Sequence, residues 1–263
     1  MKLSRSVTIF ATCIVNYLYP DVADSAARFL KRLGVTVSVE KGQVCCGQPF
    51  FNSGHRRDAT KLAKKFLHTY GETNQDIVVP SGSCVSMLKN HYADLFEGDS
   101  DAPLEIKTIS ARTFEFTEYV DILFKEFGIC ALDNFNDSSE KSKVTYHDAC
   151  HLRRELGISQ TPRRLLEMIP GIEFIEMERP EVCCGFGGTF AVKYSDISSA
   201  MLDDKLDTII KTQADVVTAC DSSCLMNIAG GLERRNTPIM SMHIAELLDR
   251  MTQERGELGE KRV

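Results

Sequence analysis

Two pairs of adjacent cysteines, each followed by glycine, stand far apart in the chain: Cys45-Cys46-Gly47 and Cys183-Cys184-Gly185. Further cysteines bracket each pair, Cys13 and Cys84 in the first case, Cys150 and Cys224 in the second. Thiolates are soft ligands that select zinc, copper(I) or iron–sulfur clusters. Structural zinc usually draws on closely spaced pairs such as C-x2–4-C. Single or adjacent cysteines separated by long intervals favour a larger group over zinc. An iron–sulfur cluster accepts thiolates on several irons, so the divergent side chains of a doublet can reach different irons, or one can reach two. Glycine directly after each doublet lets the backbone approach closely and aim N–H groups at cluster sulfurs.

The two sets are copies of one another. Matching cysteines lie 137, 138 and 140 residues apart, and IVVPSGSCVSML (77–88) aligns with VVTACDSSCLMNI (216–228). Two CC pairs with matched partners on both sides mark an internal duplication. Cys130 has no counterpart in the repeat and reads as a small buried hydrophobe.

The elements that must hold these thiols alternate between strand and helix. Residues 7–12 form a short apolar run, a buried strand; an amphipathic helix follows over 21–33 and stops at Gly34. Residues 35–40 alternate like a strand, 56–69 read as a helix and 76–80 as a strand. The second half offers strands at 143–147, 172–177 and 214–219, with helices near 161–168 and over 195–212. A terminal amphipathic helix runs from His243 to Arg250. Such alternation predicts parallel α/β units with right-handed crossovers. The expected fold is therefore two duplicated Rossmann-like or flavodoxin-like parallel-sheet halves related by a pseudo-twofold. The first would span 1–131 and the second 144–263, with the polar stretch 132–143 as linker. Each cysteine then falls in a loop after a strand, where open parallel sheets bind ligands. Four thiols would converge at one rim in each half.

Composition excludes several other classes. The chain has 263 residues, 43% hydrophobic and 26% charged, enough for a sizeable core. A net charge of −6 and the absence of a basic stripe with interleaved aromatics argue against nucleic acid. KLAKKF (61–66) reads as a solvated helix face. No apolar stretch approaches the roughly 18 residues of a spanning helix. MKLSRSVTIFATCIV superficially resembles a secretion signal but lacks a convincing small-residue cleavage site. It reads as a buried first strand, and ten cysteines in so core-rich a chain point to a reduced, cytoplasmic setting with metal or redox chemistry. The run GFGG at 185–188 fails the dinucleotide spacing, because the last required position is Phe190. No flavin or nicotinamide motif is visible.

Polar groups beside the cysteines supply weaker candidates. His147 and His151 flank Cys150 and can donate to cluster sulfur or shuttle protons, or simply tie down a loop. Arg153 or Arg154 can meet a 2-hydroxy acid carboxylate in a bidentate fashion, although a solvated helix arginine is the commoner case. Asn52 and His55 lie just past the first doublet.

Over nearly its whole length the chain resembles the CCG cysteine-rich domain family. The resemblance rests on CCGQPFFNSG (45–54), PSGSC (80–84), CCGFGGTFAVK (183–193), CLMNIAGGL (224–232) and MHIAELL (242–248). That domain occurs twice in one of the subunits of heterodisulfide reductase, and in iron–sulfur components of glycolate, glycerol-3-phosphate and L-lactate oxidising systems. The resemblance implies [4Fe-4S] clusters, one or two, on Cys13, Cys45, Cys46, Cys84, Cys150, Cys183, Cys184 and Cys224. It also implies a ferredoxin-like iron–sulfur partner, a third small subunit, and a 2-hydroxy acid as the substrate of the complex. In heterodisulfide reductase each half ends in C-x-x-C and supplies five cysteines for a non-cubane cluster. Here Ser81 stands at that position of the first half, and the second has Cys220 and Cys224 in a C-x3-C spacing. Cys220 is thus a fifth cofactor ligand or a bystander, and the non-cubane form is in doubt.

Overall fold

A computed structural model describes residues 6–96, 102–127 and 141–252. Cys130 and most of the expected linker lie outside them. Strands β1 (Ser6–Ile9), β2 (Thr36–Ser38), β3 (Asp76–Val79) and β4 (Thr113–Glu115) form an all-parallel sheet in the order β2-β1-β3-β4. Strands β5 (Ser142–Tyr146), β6 (Ile172–Phe174), β7 (Val216–Ala219) and β8 (Met240–His243) repeat it as β6-β5-β7-β8. This is the flavodoxin-like order, with its switch point between the first and third strands of each half. The backbones correspond in detail: Phe10 N–H donates to the Val78 carbonyl at 3.0 Å, and His147 N–H to that of Thr218 at 2.9 Å.

In the first half, β1 is followed by α1 (Cys13–Leu18) and α2 (Pro20–Arg32), and β2 by α3 (Gln48–Asn52) and α4 (Arg56–Gly71). After β3 come α5 (Gly82–Ser86), a π-helical turn over Met87–His91, α6 (Tyr92–Leu95) and α7 (Ala102–Ala111); α8 (Phe116–Phe127) follows β4. The second half places α9 (Cys150–Arg154) and α10 (Gln160–Glu167) after β5, and α11 (Thr189–Lys193) and α12 (Ser195–Lys211) after β6. Helix α13 (Ser222–Arg234) follows β7 and α14 (Ile244–Met251) follows β8.

Local chemistry accounts for these elements. Pro20 opens α2, where its missing N–H costs nothing, and Gly34 beyond its end adopts φ 81°. Helix α4 buries Ala59, Ala63, Phe66 and Tyr70, one stripe at helical spacing. All four residues of β7 are buried, as expected for an inner strand covered on both faces. The expected strands over 7–12, 76–80 and 143–147 end early because the chain turns there into helix, whereas those over 35–40 and 172–177 run out into loops. Cys13 and Cys150 are consequently the first residues of α1 and α9, while Cys84 and Cys224 sit in the first turns of α5 and α13, not in loops. Strands β4 and β8 have no clear sequence signal, being short and of mixed polarity.

The halves interlock reciprocally. Helix α14 packs on α2 and α8 on α10, each across the boundary. Asp249 pairs with Arg28 and Arg32, and Asp121 with Arg164 at 2.8 Å, so a carboxylate in the same place of each half grips the other half's helix. One apolar cluster contains Val7, Phe29 and Phe116 together with Val144, Leu206 and Leu248. Gly82 lets α5 touch α9, since a Cβ there would stand 2.7 Å from that of Leu152. Among the described residues no helix is long and apolar enough to cross a membrane.

Candidate metal centre

The carboxyl ends of β1, β2 and β3 deliver Cys13, Cys45-Cys46 and Cys84 to one place. Cys13 and Cys45 stand 3.6 Å apart, sulfur to sulfur, and Cys46 and Cys84 3.3 Å. In the second half the thiol of Cys150 interacts with that of Cys183, and that of Cys184 with that of Cys224, in the same pairing. The two rims face each other. All eight thiols line a single cleft whose walls also include Ser83, Phe186, Asp221 and His151.

Each doublet is set by its glycine. Gly47 at φ 90° and Gly185 at φ 84° occupy the left-handed region, and the N–H of each donates to the sulfur of the first doublet cysteine at 3.4 Å. Space enforces the choice as well: a Cβ on Gly185 would lie 2.5 Å from the Ser198 carbonyl oxygen, and one on Gly47 3.3 Å from that of Ala59. Hydrogen bonds from Cys13 and Cys46 hold the Cys45 thiol down, to about 3; those from Cys150 and Cys184 hold Cys183 down, to about 2. Donation toward these sulfurs, with burial, pushes Cys46 and Cys184 up. In each doublet the first thiol is half-buried and accepts its glycine's N–H, while the second is buried against the core.

Asp221 joins the halves at the floor of the cleft. It precedes α13, yet its carboxylate caps the opposite half: it accepts from Ser83 N–H and Ser83 Oγ, both at 2.8 Å, and from Ser81 Oγ at 3.0 Å. Burial raises its pKa against these bonds. Ser81 occupies the matching place in the first repeat, so the pseudo-twofold axis passes between a serine and an aspartate. The sequence signal is the short polar DSS before Cys224, which reads as an ordinary helix start; nothing in it names the helix being capped.

His147 lies behind the second set of thiols. It is 1% exposed, neither ring nitrogen has a hydrogen-bond partner, and a ring nitrogen lies within 4.8 Å of the sulfurs of Cys184 and Cys224, which are within the same distance of each other. Burial and the nearby Lys205 ammonium lower its pKa to about 3. Lys205 is itself buried, its Nζ donating to the carbonyls of Arg179 and Pro180 at 3.2 and 3.1 Å. In the sequence Lys205 looks like one more charge on an amphipathic helix, so nothing marks it as a site residue.

Other candidates are placed elsewhere. Cys220 is set apart from the eight: it is fully buried behind the cleft, within 3.3 Å of the Tyr146 hydroxyl and 3.9 Å of Thr117 Oγ1, and it does not line the cavity. The cysteine directly follows β7, and its side chain packs against Tyr146 and Thr117 while the chain turns toward Cys224. Arg153 pairs with Asp148 at 2.6 Å instead of entering the cleft, and Arg154 is exposed on the outside of α9. His151 does line the cleft, with Nδ1 3.5 Å from Cys150 Sγ. Asn52 lies on its rim, whereas His55 is an exposed residue outside it.

The donor set fits a soft, polynuclear group. Eight thiols meet, glycine N–H groups aim at sulfur, and a buried imidazole is left without an acceptor. Buried N–H groups are rarely left unpaired, so the last observation itself calls for an acceptor in the site.

Comparison with known proteins agrees with this geometry. The family model for the CCG cysteine-rich domain matches residues 7–89 and 144–229, one copy per half. The chain is 39% identical over 243 residues to Lactate utilization protein A 2 of Bacillus cereus, covering 92% of this chain and 97% of that protein. It is 40% identical over 245 residues to Lactate utilization protein A 1 of Bacillus anthracis, with the same coverage. Against Lactate utilization protein A of Halalkalibacterium halodurans it is 39% identical over 251 residues, 95% of this chain and 99% of that one.

Proposed function

The chain belongs to the CCG cysteine-rich domain family, and from that premise we propose that it is an iron–sulfur electron-transfer subunit of an L-lactate oxidising system. Cys13, Cys45, Cys46 and Cys84 would hold a cluster in the first half, and Cys150, Cys183, Cys184 and Cys224 one in the second. The single observation that carries this reading is that both duplicated thiol sets line one cleft. Relatives named for lactate utilization over nearly their full length supply the choice of substrate system. When bound, the clusters supply one-electron storage. The protein's own groups would position them: Gly47 and Gly185 donate to sulfur, Asp221 locks the halves together, and Ile14, Pro49 and Phe186 supply apolar wall. Partner subunits, a ferredoxin-like iron–sulfur protein and a third small subunit, would complete the path from lactate to pyruvate to an acceptor in the cytoplasm.

Anaerobically purified protein should be brown, contain iron and acid-labile sulfide, and show electron paramagnetic resonance signals on reduction. Colourless protein carrying stoichiometric zinc would defeat the reading. A second reading, thiol–disulfide chemistry of the heterodisulfide reductase kind, is favoured by the position of the cleft between two thiol sets. Disulfide-dependent oxidation of a reduced dye by the isolated chain would select it.

A further inference from the structure

The two half-sites share a backbone but not an interior. Phe10 and His147 are equivalent, each following the first strand and donating its N–H to the third strand's carbonyl. Phe66 and Lys205 are equivalent on α4 and α12, counted from Ala59 and Ser198, which contact Gly47 and Gly185 in the same way. In the first half the pair is wholly apolar: the Phe10 and Phe66 rings meet edge to face at 5.0 Å. In the second half the same two places hold an imidazole with two unpartnered nitrogens and a buried ammonium. A neutral imidazole always carries one N–H, and here that donor is buried among sulfurs with nothing else to bond.

We propose that His147 donates a hydrogen bond to the thiolate-ligated group of the second half, and that this makes the second half-site the easier of the two to reduce. The inference rests on the iron–sulfur reading above. Reduction adds one electron, drawn from an external reductant, to the group; that negative charge accumulates on iron, sulfide and thiolate. An N–H donor stabilises the more negative state, and such bonds to sulfur tune cluster potential upward. The bond is kept in both states, so no proton leaves His147. The Lys205 charge lies on the same side and acts in the same direction. The first half-site, backed by Phe10 and Phe66, offers neither. Electrons arriving at the first half therefore run toward the second, and the duplicated chain becomes directional.

The test is a potentiometric titration, followed by electron paramagnetic resonance, of the full chain loaded anaerobically with iron and sulfide. Wild type should show two signals with separated midpoints. His147→Phe, which installs the first half's own residue, should shift the higher midpoint down toward the lower, and His147→Gln, which keeps an N–H, should preserve most of the separation. Should His147→Phe fail to fold, wild-type protein labelled with 15N-histidine carries the test, with a weak hyperfine coupling expected at the higher-potential centre. Iron bound with unchanged midpoints in His147→Phe, or no 15N coupling, overturns this inference alone. A strong coupling of the kind given by direct iron–nitrogen ligation overturns it in favour of a histidine ligand. Wild type that binds no iron and sulfide overturns the iron–sulfur reading and this inference with it.

Discussion

Asp221 of the second repeat caps a helix of the first: its carboxylate accepts the Ser83 backbone N–H at 2.8 Å. The same carboxylate takes the hydroxyls of Ser81 and Ser83. A residue in a helix-start position has been turned outward to hold the two halves in register beside the thiol-lined cleft. Removing it takes the acceptor from three donors, the buried Ser81 hydroxyl and the half-buried Ser83 N–H and hydroxyl, and an unsatisfied buried group costs about 1–3 kcal/mol. Asp221→Ala should lower the urea midpoint accordingly. Asp221→Asn keeps the volume but presents an NH2 to one of these donors, so it should recover only part of the loss.

The placement of the cysteines makes a sharper contrast than their spacing does. Cys184 lines the cleft, whereas Cys220 is buried behind it against Tyr146 and Thr117. Cys184→Ala should lower bound iron and bleach the visible absorbance. Cys220→Ala should leave iron and colour in place while reducing stability by about 1 kcal/mol, the order of a small buried side chain lost from a core. Equal loss of iron in both variants would return Cys220 to the ligand set.

The doublet glycines are not equally tolerant. Both need a left-handed backbone, which costs an L-residue about 1 kcal/mol. A methyl on Gly185 also meets the Ser198 carbonyl at 2.5 Å, while one on Gly47 meets that of Ala59 at 3.3 Å. Gly185→Ala should therefore cost about 2 kcal/mol more than Gly47→Ala, as overpacking does, and should displace Cys183 from its N–H donor. Denaturant midpoints and iron content of the two variants, measured side by side, check this.

Glu115 couples stability to pH. It is fully buried, Oε1 has no partner, and burial pushes its pKa up to about 8. The folded state therefore binds a proton more tightly than the unfolded chain. The stabilisation is fully present below the unfolded carboxyl pKa and is lost as pH rises through about 8. In that window the slope reaches at most about 1.4 kcal/mol per pH unit. Urea unfolding of Glu115→Gln across the same range should show this contribution gone, with the variant gaining on wild type as pH rises.

Much of this was legible in residue order. The duplicated Cys, CCG, Cys pattern named the eight thiols before any coordinate, and apolar runs alternating with amphipathic stretches implied parallel sheets whose carboxyl ends would carry them. Those signals are local or periodic, and local physics writes them: short apolar runs bury as inner strands, a glycine after a doublet frees the backbone, a proline opens a helix. What the order of residues left open is set by contacts between positions more than a hundred residues apart. That both rims open onto one cleft follows from α2 on α14 and α8 on α10. That Cys220 is shut out while Cys224 is admitted depends on which way the chain turns at the end of β7. That His147 is a buried donor and Phe10 its apolar twin depends on how deeply each side chain sinks behind its thiols. No window of sequence contains those distances, because they belong to the packing of one half against the other.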